Sequence, residues 1–215
     1  LSQDGWACWA FSNHDVERHA SRWELSDAAQ RLHAALLMSL RGSVCLYQGE
    51  ELGLTEAYVA FEDLQDPYGI RFWPKFKGRD GCRTPMVWRQ DNQNGGFSEA
   101  KPWLPVAMEH LQSAAESQAQ DPSSMLAFYR KMLAFRATCP ELAKGTVEII
   151  EATEGVISFT RTLGTSRVFC AFNLSDVPHK IARPVGRWTE LNDAPFQGGD
   201  TVLPAWQAVF AREEG

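Results

Sequence analysis

An amide, an imidazole and a carboxylate stand side by side at Asn13-His14-Asp15, with Val16-Glu17-Arg18 immediately after. A carboxylate so placed makes charge-assisted hydrogen bonds that strengthen as positive charge develops beside it. The apolar approach Ala7-Cys8-Trp9-Ala10-Phe11 reads as the end of a buried strand, so the polar trio falls at its C-terminal edge. In a barrel or an open parallel sheet, that edge is where ligands bind and chemistry happens. A His-Asp pair in a loop is also a common turn or helix cap, because Asp favours such positions on local backbone grounds. The elements that follow weigh against that plainer reading.

Ser26 is placed to cap a helix, in which Ala28, Leu32, Ala35, Leu36 and Ser39 recur at helical spacing and Gly42 is placed to end it. Ser43-Val44-Cys45-Leu46-Tyr47 follows, apolar enough for a strand buried on both faces, and delivers Gln48-Gly49-Glu50-Glu51 at its end. Strand, loop, helix and strand with polar residues at both C-terminal edges make a βαβ unit of a parallel sheet. From Leu52 to about Asp121 regular elements are scarce, and nine aromatics, among them Phe61, Trp73 and Trp88, point to an ordered, packed region. Asp121-Pro122-Ser123 opens a further helix, with Asp capping it and Met125, Phe128, Tyr129, Met132, Leu133 and Arg136 on one side.

After Cys139-Pro140 the texture changes to short β-type runs at 147–150, 156–161, 167–174, 179–181, 188–191 and 208–210. Turn signals at Glu154-Gly155, Leu163-Gly164-Thr165 and Gly198-Gly199-Asp200 separate them, as in an antiparallel sheet or sandwich. Two domains are therefore expected, 1–142 and 143–215.

A net charge of -6 and a pI near 5.4 argue against a nucleic-acid partner. No apolar run approaches membrane-spanning length, so no membrane partner is expected. The five cysteines are scattered, without a CxxC pair, and read as reduced, buried thiols of a cytoplasmic protein, with no metal and no cofactor. A start at Leu1, a few residues before a catalytic-looking strand, reads as a piece of a longer protein.

Four signatures stand in order: Asn13-His14-Asp15; Tyr47-Gln48-Gly49-Glu50-Glu51-Leu52-Gly53; Arg79-Asp80-Gly81-Cys82-Arg83-Thr84-Pro85-Met86-Val87-Trp88; and a capped helix feeding a small β domain. Together they resemble the α-amylase superfamily of glycoside hydrolases, in its α-glucosidase and oligo-1,6-glucosidase branch. The resemblance implies an α/β plus all-β chain: the C-terminal part of a (β/α)8 TIM barrel, then an antiparallel β-sandwich domain. It implies a retaining α-glucosidase that removes terminal glucose from small α-glucosides, or transfers it. Sucrose- and trehalose-processing members of the same family fit the region equally.

By that resemblance Asp15 is the transition-state stabiliser, while His14 and Arg83 bind the same glucose. The family's nucleophile and acid/base precede this region, so the chain alone is expected to be inactive and its barrel part to need the missing half or to self-associate. Arg83 has a plainer alternative, anchoring its loop to a carboxylate. Glu50 and Glu51 point to opposite faces of an extended segment and read as structural. The acidic run Glu62 to Asp66 reads as a solvated rim, with Ca²⁺ as its alternative. Arg18 and Arg22 are candidates for the acceptor side, and the aromatics for core packing over sugar stacking. A non-catalytic carbohydrate-binding or assembly module is the reading of a different class.

Overall fold

A computed structural model describes residues 5–191 and 201–215. It forms two compact units, one from the described parts of Leu1–Trp9, Ala28–Val44 and Met132–Gly215, the other from Ala10–Asp27 and Cys45–Lys131. No helix among the described residues is long and apolar enough to cross a membrane.

In the first unit, β1 (Cys8–Trp9) pairs in parallel with β2 (Ser43–Val44), Cys8 opposite Ser43 and Trp9 opposite Val44. Between them in the chain come α1 (His19–Arg22), which belongs to the second unit, and α2 (Asp27–Ser39). The parallel pair agrees with the βαβ reading, but each strand is only two residues long and Cys8, Trp9 and Cys45 are exposed. The expectation of doubly buried strands and of five buried thiols is corrected here: only Cys82, Cys139 and Cys170 are enclosed. With two strands in that sheet, no third one pairs with the outer edge of β1 or β2 among the described residues.

Along α2 Leu32, Ala35 and Ser39 of the periodic reading are buried, with Ala29, Ala34, Leu37 and Met38 beside them, whereas Ala28 is exposed and Leu36 half-buried. Its C-terminal carbonyls are satisfied by two arginines. Arg136 donates to the carbonyls of Met38, Leu40 and Gly42, and Arg161 to those of Ser39, Gly145 and Thr146. A cation at a helix C-terminus meets both the orphan acceptors and the negative end of the dipole.

The remaining helices are α3 (Pro67–Phe72), α4 (Ala115–Gln120), α5 (Met125–Thr138) and α6 (Pro140–Lys144). Asp121 accepts from the Ser123 amide in the turn before α5, whereas Ser124 Oγ accepts the Ala127 N–H and caps the helix. Leu133 of the expected core stripe lies outward, 45% exposed.

The strands β3 (Thr146–Thr153), β4 (Val156–Leu163), β5 (Ser166–Asn173), β6 (His179–Ile181), β7 (Trp188–Glu190), β8 (Thr201–Leu203) and β9 (Ala208–Glu213) complete the first unit. Five form an antiparallel sheet in the order β3-β4-β5-β9-β7, and β6 pairs with β8. In central β5, Val168 to Asn173 are all buried because both faces are covered. Phe169 and Ala171 join Ile181, Leu203, Trp188 and Val209 in one cluster. Phe172 stacks with Phe159 and meets Phe210 edge-on, and Phe210 in turn packs on Phe135 of α5. The sequence missed β8, a three-residue run, and the expected turn at Gly198-Gly199-Asp200 lies outside the described residues.

The second unit is held by short helices, 3₁₀ turns and two small apolar clusters. Leu52, Leu54 and Val87 pack with Met86, Val106, Leu111, Ala115 and Leu126. Val59, Leu64 and Leu104 pack with Trp73. The aromatics here do less core packing than expected, since Tyr58, Phe61, Trp88, Phe97 and Trp103 are exposed by 47–66%.

Arg161 is fully buried, and burial lowers its pKa to about 10. Its removal takes away the side-chain donors on three main-chain carbonyls. We expect Arg161→Ala to lose about 3 kcal/mol in denaturant unfolding, against about 0.5 kcal/mol or less for exposed Arg130→Ala. Equal losses for the two variants would contradict this account of how α2 is terminated.

Candidate active site

Past β1 the chain turns at Phe11-Ser12 and presents its polar trio. Ser12 Oγ accepts the His19 amide and lies against His19 Nδ1, both at 2.9 Å, and both residues are buried. Arg22 Nη2 donates to the Phe11 carbonyl at 2.6 Å. Asn13 Oδ1 accepts the Asp15 amide at 2.8 Å, an Asx turn that spends the amide side chain on local geometry. What remains on the surface is the pair His14 and Asp15, whose side chains are 69% and 52% exposed.

The structure brings together all three site residues expected from the sequence. Arg83 Nη2 donates to Asp15 Oδ1 at 3.1 Å, and Arg83 Nε to the His14 carbonyl at 2.7 Å. His14 Nε2 lies 3.4 Å from Asp15 Oδ2. Of the two readings of Arg83, these contacts are those of the loop anchor.

Sequence reasoning missed Arg79, whose Nη1 donates to the same Asp15 Oδ1 at 2.9 Å. A signal was there: Arg79 and Arg83 flank the single 3₁₀ turn Asp80–Cys82, which returns the chain so that both reach one carboxylate. Arg79 also forks onto Asp66, with Nε to Oδ2 at 2.9 Å and Nη2 to Oδ1 at 3.0 Å. Asp66 is therefore no part of a solvated rim. It is 1% exposed, caps α3 at Tyr68, and its carboxyl is pulled down to about 2, chiefly by Arg79.

Beneath this cluster lies a buried layer. Arg18, 1% exposed, donates Nη1 to the Gln48 carbonyl and Nη2 to the Cys82 carbonyl, and its guanidinium carbon lies 5.1 Å from the Tyr47 ring centroid. So enclosed, it cannot serve the acceptor side. Glu56 Oε2 accepts the Arg18 amide, and burial lifts its carboxyl to about 7. Glu50 is buried 3.8 Å from His19 Nδ1, and its carboxyl too is lifted to about 7, mainly by burial. Its neighbour Glu51 turns back onto the Gly49 amide at 2.8 Å, so the two carboxylates do not face one another.

Two depressions adjoin the cluster. A cleft of about 740 Å³ is lined by Asp15, Glu17, Arg22, Glu56, Tyr58 and Arg79. A shallower one of about 490 Å³ has Arg83, Gln48, Trp88, Phe97 and Trp103 on its walls. Phe61 and Trp73 line neither and pack on each other at 5.7 Å. Among the described residues no group of three His, Cys, Asp or Glu could hold a metal. The arrangement is a surface carboxylate steered by two guanidiniums and flanked by an imidazole, suited to holding hydroxyl groups and opposing a nearby positive charge.

The raised Glu50 carboxyl has a stability consequence. Between its usual value of 4.5 and about 7 the folded state holds a proton that the unfolded state has released, so stability falls as pH rises through that window. The unfolding free energy is expected to drop from pH 5 to pH 8, and Glu50→Gln to remove about 2 kcal/mol of the drop, Glu56 retaining its own share. An unchanged pH slope in Glu50→Gln would contradict this.

Residues 1–145 match the family model described as alpha amylase, catalytic domain. A probable alpha-glucosidase of Rhizobium meliloti (strain 1021) is 53% identical over 217 residues, covering 97% of this chain and 39% of that protein. An oligo-1,6-glucosidase of Parageobacillus thermoglucosidasius is 28% identical, over 82% of this chain and 35% of its own. Among solved structures, the alpha-glucosyl transfer enzyme XgtA superposes with a TM-score of 0.92 and 47% identity over 98% of this chain and 41% of its own. Trehalose-6-phosphate hydrolase of Bacillus licheniformis shares the fold at a TM-score of 0.85 and 22% identity, covering 97% of this chain and 43% of its own. The chain thus spans about two-fifths of the length of the relatives it matches. With residues 1–145 of its 215 fitting one family model, the chain belongs to the alpha-amylase family.

Proposed function

We propose that the protein to which this chain contributes is a retaining α-glucosidase acting on terminal α-linked glucose of small α-glucosides such as maltose. The observation that carries the reading is the exposed Asp15 carboxylate, steered on one oxygen by Arg79 and Arg83 and flanked by His14. On this reading β1 and β2 are the seventh and eighth strands of a (β/α)8 barrel ending near residue 142, and residues 143–215 are the β-sandwich domain after it. Their parallel pairing around α2 supports that placement.

Departure of the leaving group puts positive charge on the sugar's anomeric carbon, and a retaining enzyme meets it with a carboxylate nucleophile and a carboxyl acid/base. Both would come from the part of the protein beyond this chain. Asp15 would hold hydroxyls of the distorted glucose through hydrogen bonds that tighten as the charge develops, so it lowers the barrier more than it improves substrate binding. His14 would donate to the same ring. A second reading, glucosyl transfer to another hydroxyl compound, is supported by the relative XgtA, named for alpha-glucosyl transfer.

The test is p-nitrophenol release from p-nitrophenyl α-glucoside by the longer protein, its Asp15→Asn variant and the 215-residue chain alone. The longer protein should turn over, Asp15→Asn should lose roughly 10²–10³-fold in kcat, and the chain alone should be silent. An Asp15→Asn variant as active as its parent would overturn the assignment. A silent longer protein would favour the non-catalytic carbohydrate-binding reading.

A further inference from the structure

We infer that Arg79 is a positioning residue for Asp15, and that buried Asp66 is the fixture from which it works. The inference rests on the α-glucosidase reading of Asp15. A half-exposed carboxylate and one arginine would hold each other loosely, because a surface ion pair gains little over hydration and costs side-chain freedom. Arg79 is different. Its Nε and Nη2 form a two-bond fork with Asp66, and its own amide donates to Asp66 Oδ2 at 2.9 Å. The plane of the guanidinium is therefore set before Asp15 is considered, and only Nη1 is left to reach Asp15.

Asp66 is itself immobilised. Its side chain is wholly buried, its Oδ1 caps α3 at the Tyr68 amide, and its own amide donates to Oδ2 of buried Asp80 at 2.8 Å. The close approach of Arg79 depends on two glycines. A Cβ at Gly78, whose φ is +78°, would meet Gly69 Cα at 2.9 Å and Asp66 Oδ2 at 3.0 Å, and one at Gly69 would meet the Lys77 carbonyl oxygen at 2.6 Å. Segment 77–79 can lie against α3 only because both positions lack side chains. Arg83 differs, since its Nε is held by the His14 carbonyl of the same loop whose Asp15 it contacts.

A lysine at 79 would supply charge at one point but could not fork onto Asp66 and reach Asp15 together. The test is steady-state kinetics of the longer protein on p-nitrophenyl α-glucoside with Arg79→Lys, Arg79→Ala and Asp66→Asn, with melting curves alongside. We expect Arg79→Lys to melt near the parent temperature, keep KM within about threefold and lose kcat by about 10²-fold, the scale of a misplaced catalytic group. Free guanidinium should restore part of the Arg79→Ala rate, and Asp66→Asn should lose kcat although both Asp15 and Arg79 remain. A purely structural role would give a lowered melting temperature without a kcat effect in Arg79→Lys and no guanidinium rescue, and that result would overturn the inference. A parent protein without turnover would overturn the glucosidase reading instead.

Discussion

A guanidinium withdrawn from water is the constraint on which the site depends. Arg18 gives up hydration and recovers it from main-chain carbonyls of Gln48 and Cys82, while Tyr47 lies beside it and donates its own hydroxyl to that same Cys82 carbonyl. Those two carbonyls belong to the segments that follow β2 and precede Arg83. One buried side chain thus joins the loop bearing Asp15 to the two segments that complete its surroundings. Gly49 makes room for it: a Cβ there would stand 2.7 Å from Leu54 Cδ1 and 3.0 Å from Arg18 Nη1.

Upon this buried layer the charges are graded by exposure. Asp66, with no exposed side-chain surface, takes the full fork of Arg79. Asp15, half in solvent, shares single N–H groups from two arginines. Burial makes the first pair rigid, and exposure leaves the second able to exchange partners with solvent or a ligand. The same logic recurs in the other unit, where Arg136 and Arg161 spend their donors on carbonyls at and beyond the end of α2. In both units arginine is used as a fork that locks main chain, a task for which a point charge would not serve.

The sequence made the strand-end trio, the βαβ order and most of the β strands legible, because each is written in local spacing. His14, Asp15 and Arg83 could be placed together only through the family resemblance, since 68 positions separate Asp15 from Arg83. Asp66 could not, because an acidic run looks solvated until Gly69 and Gly78 are seen to pack segment 77–79 over it. Arg79 pairs with a carboxylate 64 positions away, a separation that no local pattern encodes. Capping by Ser124 and not Asp121 was a choice between two locally adequate residues, settled by which one reaches the Ala127 amide. The short β8 and the outward Leu133 likewise depend on what lies beside them.

The central claim is that a glucose ring is held by Asp15 while Arg79 stays on Asp66. A crystal structure of the longer protein with bound glucose tests it most directly. The account predicts sugar hydroxyls within hydrogen-bond distance of Asp15 Oδ2 and of His14, with the Arg79–Asp66 fork intact. Glucose seated instead between Trp88 and Trp103, with Asp15 untouched, would contradict it.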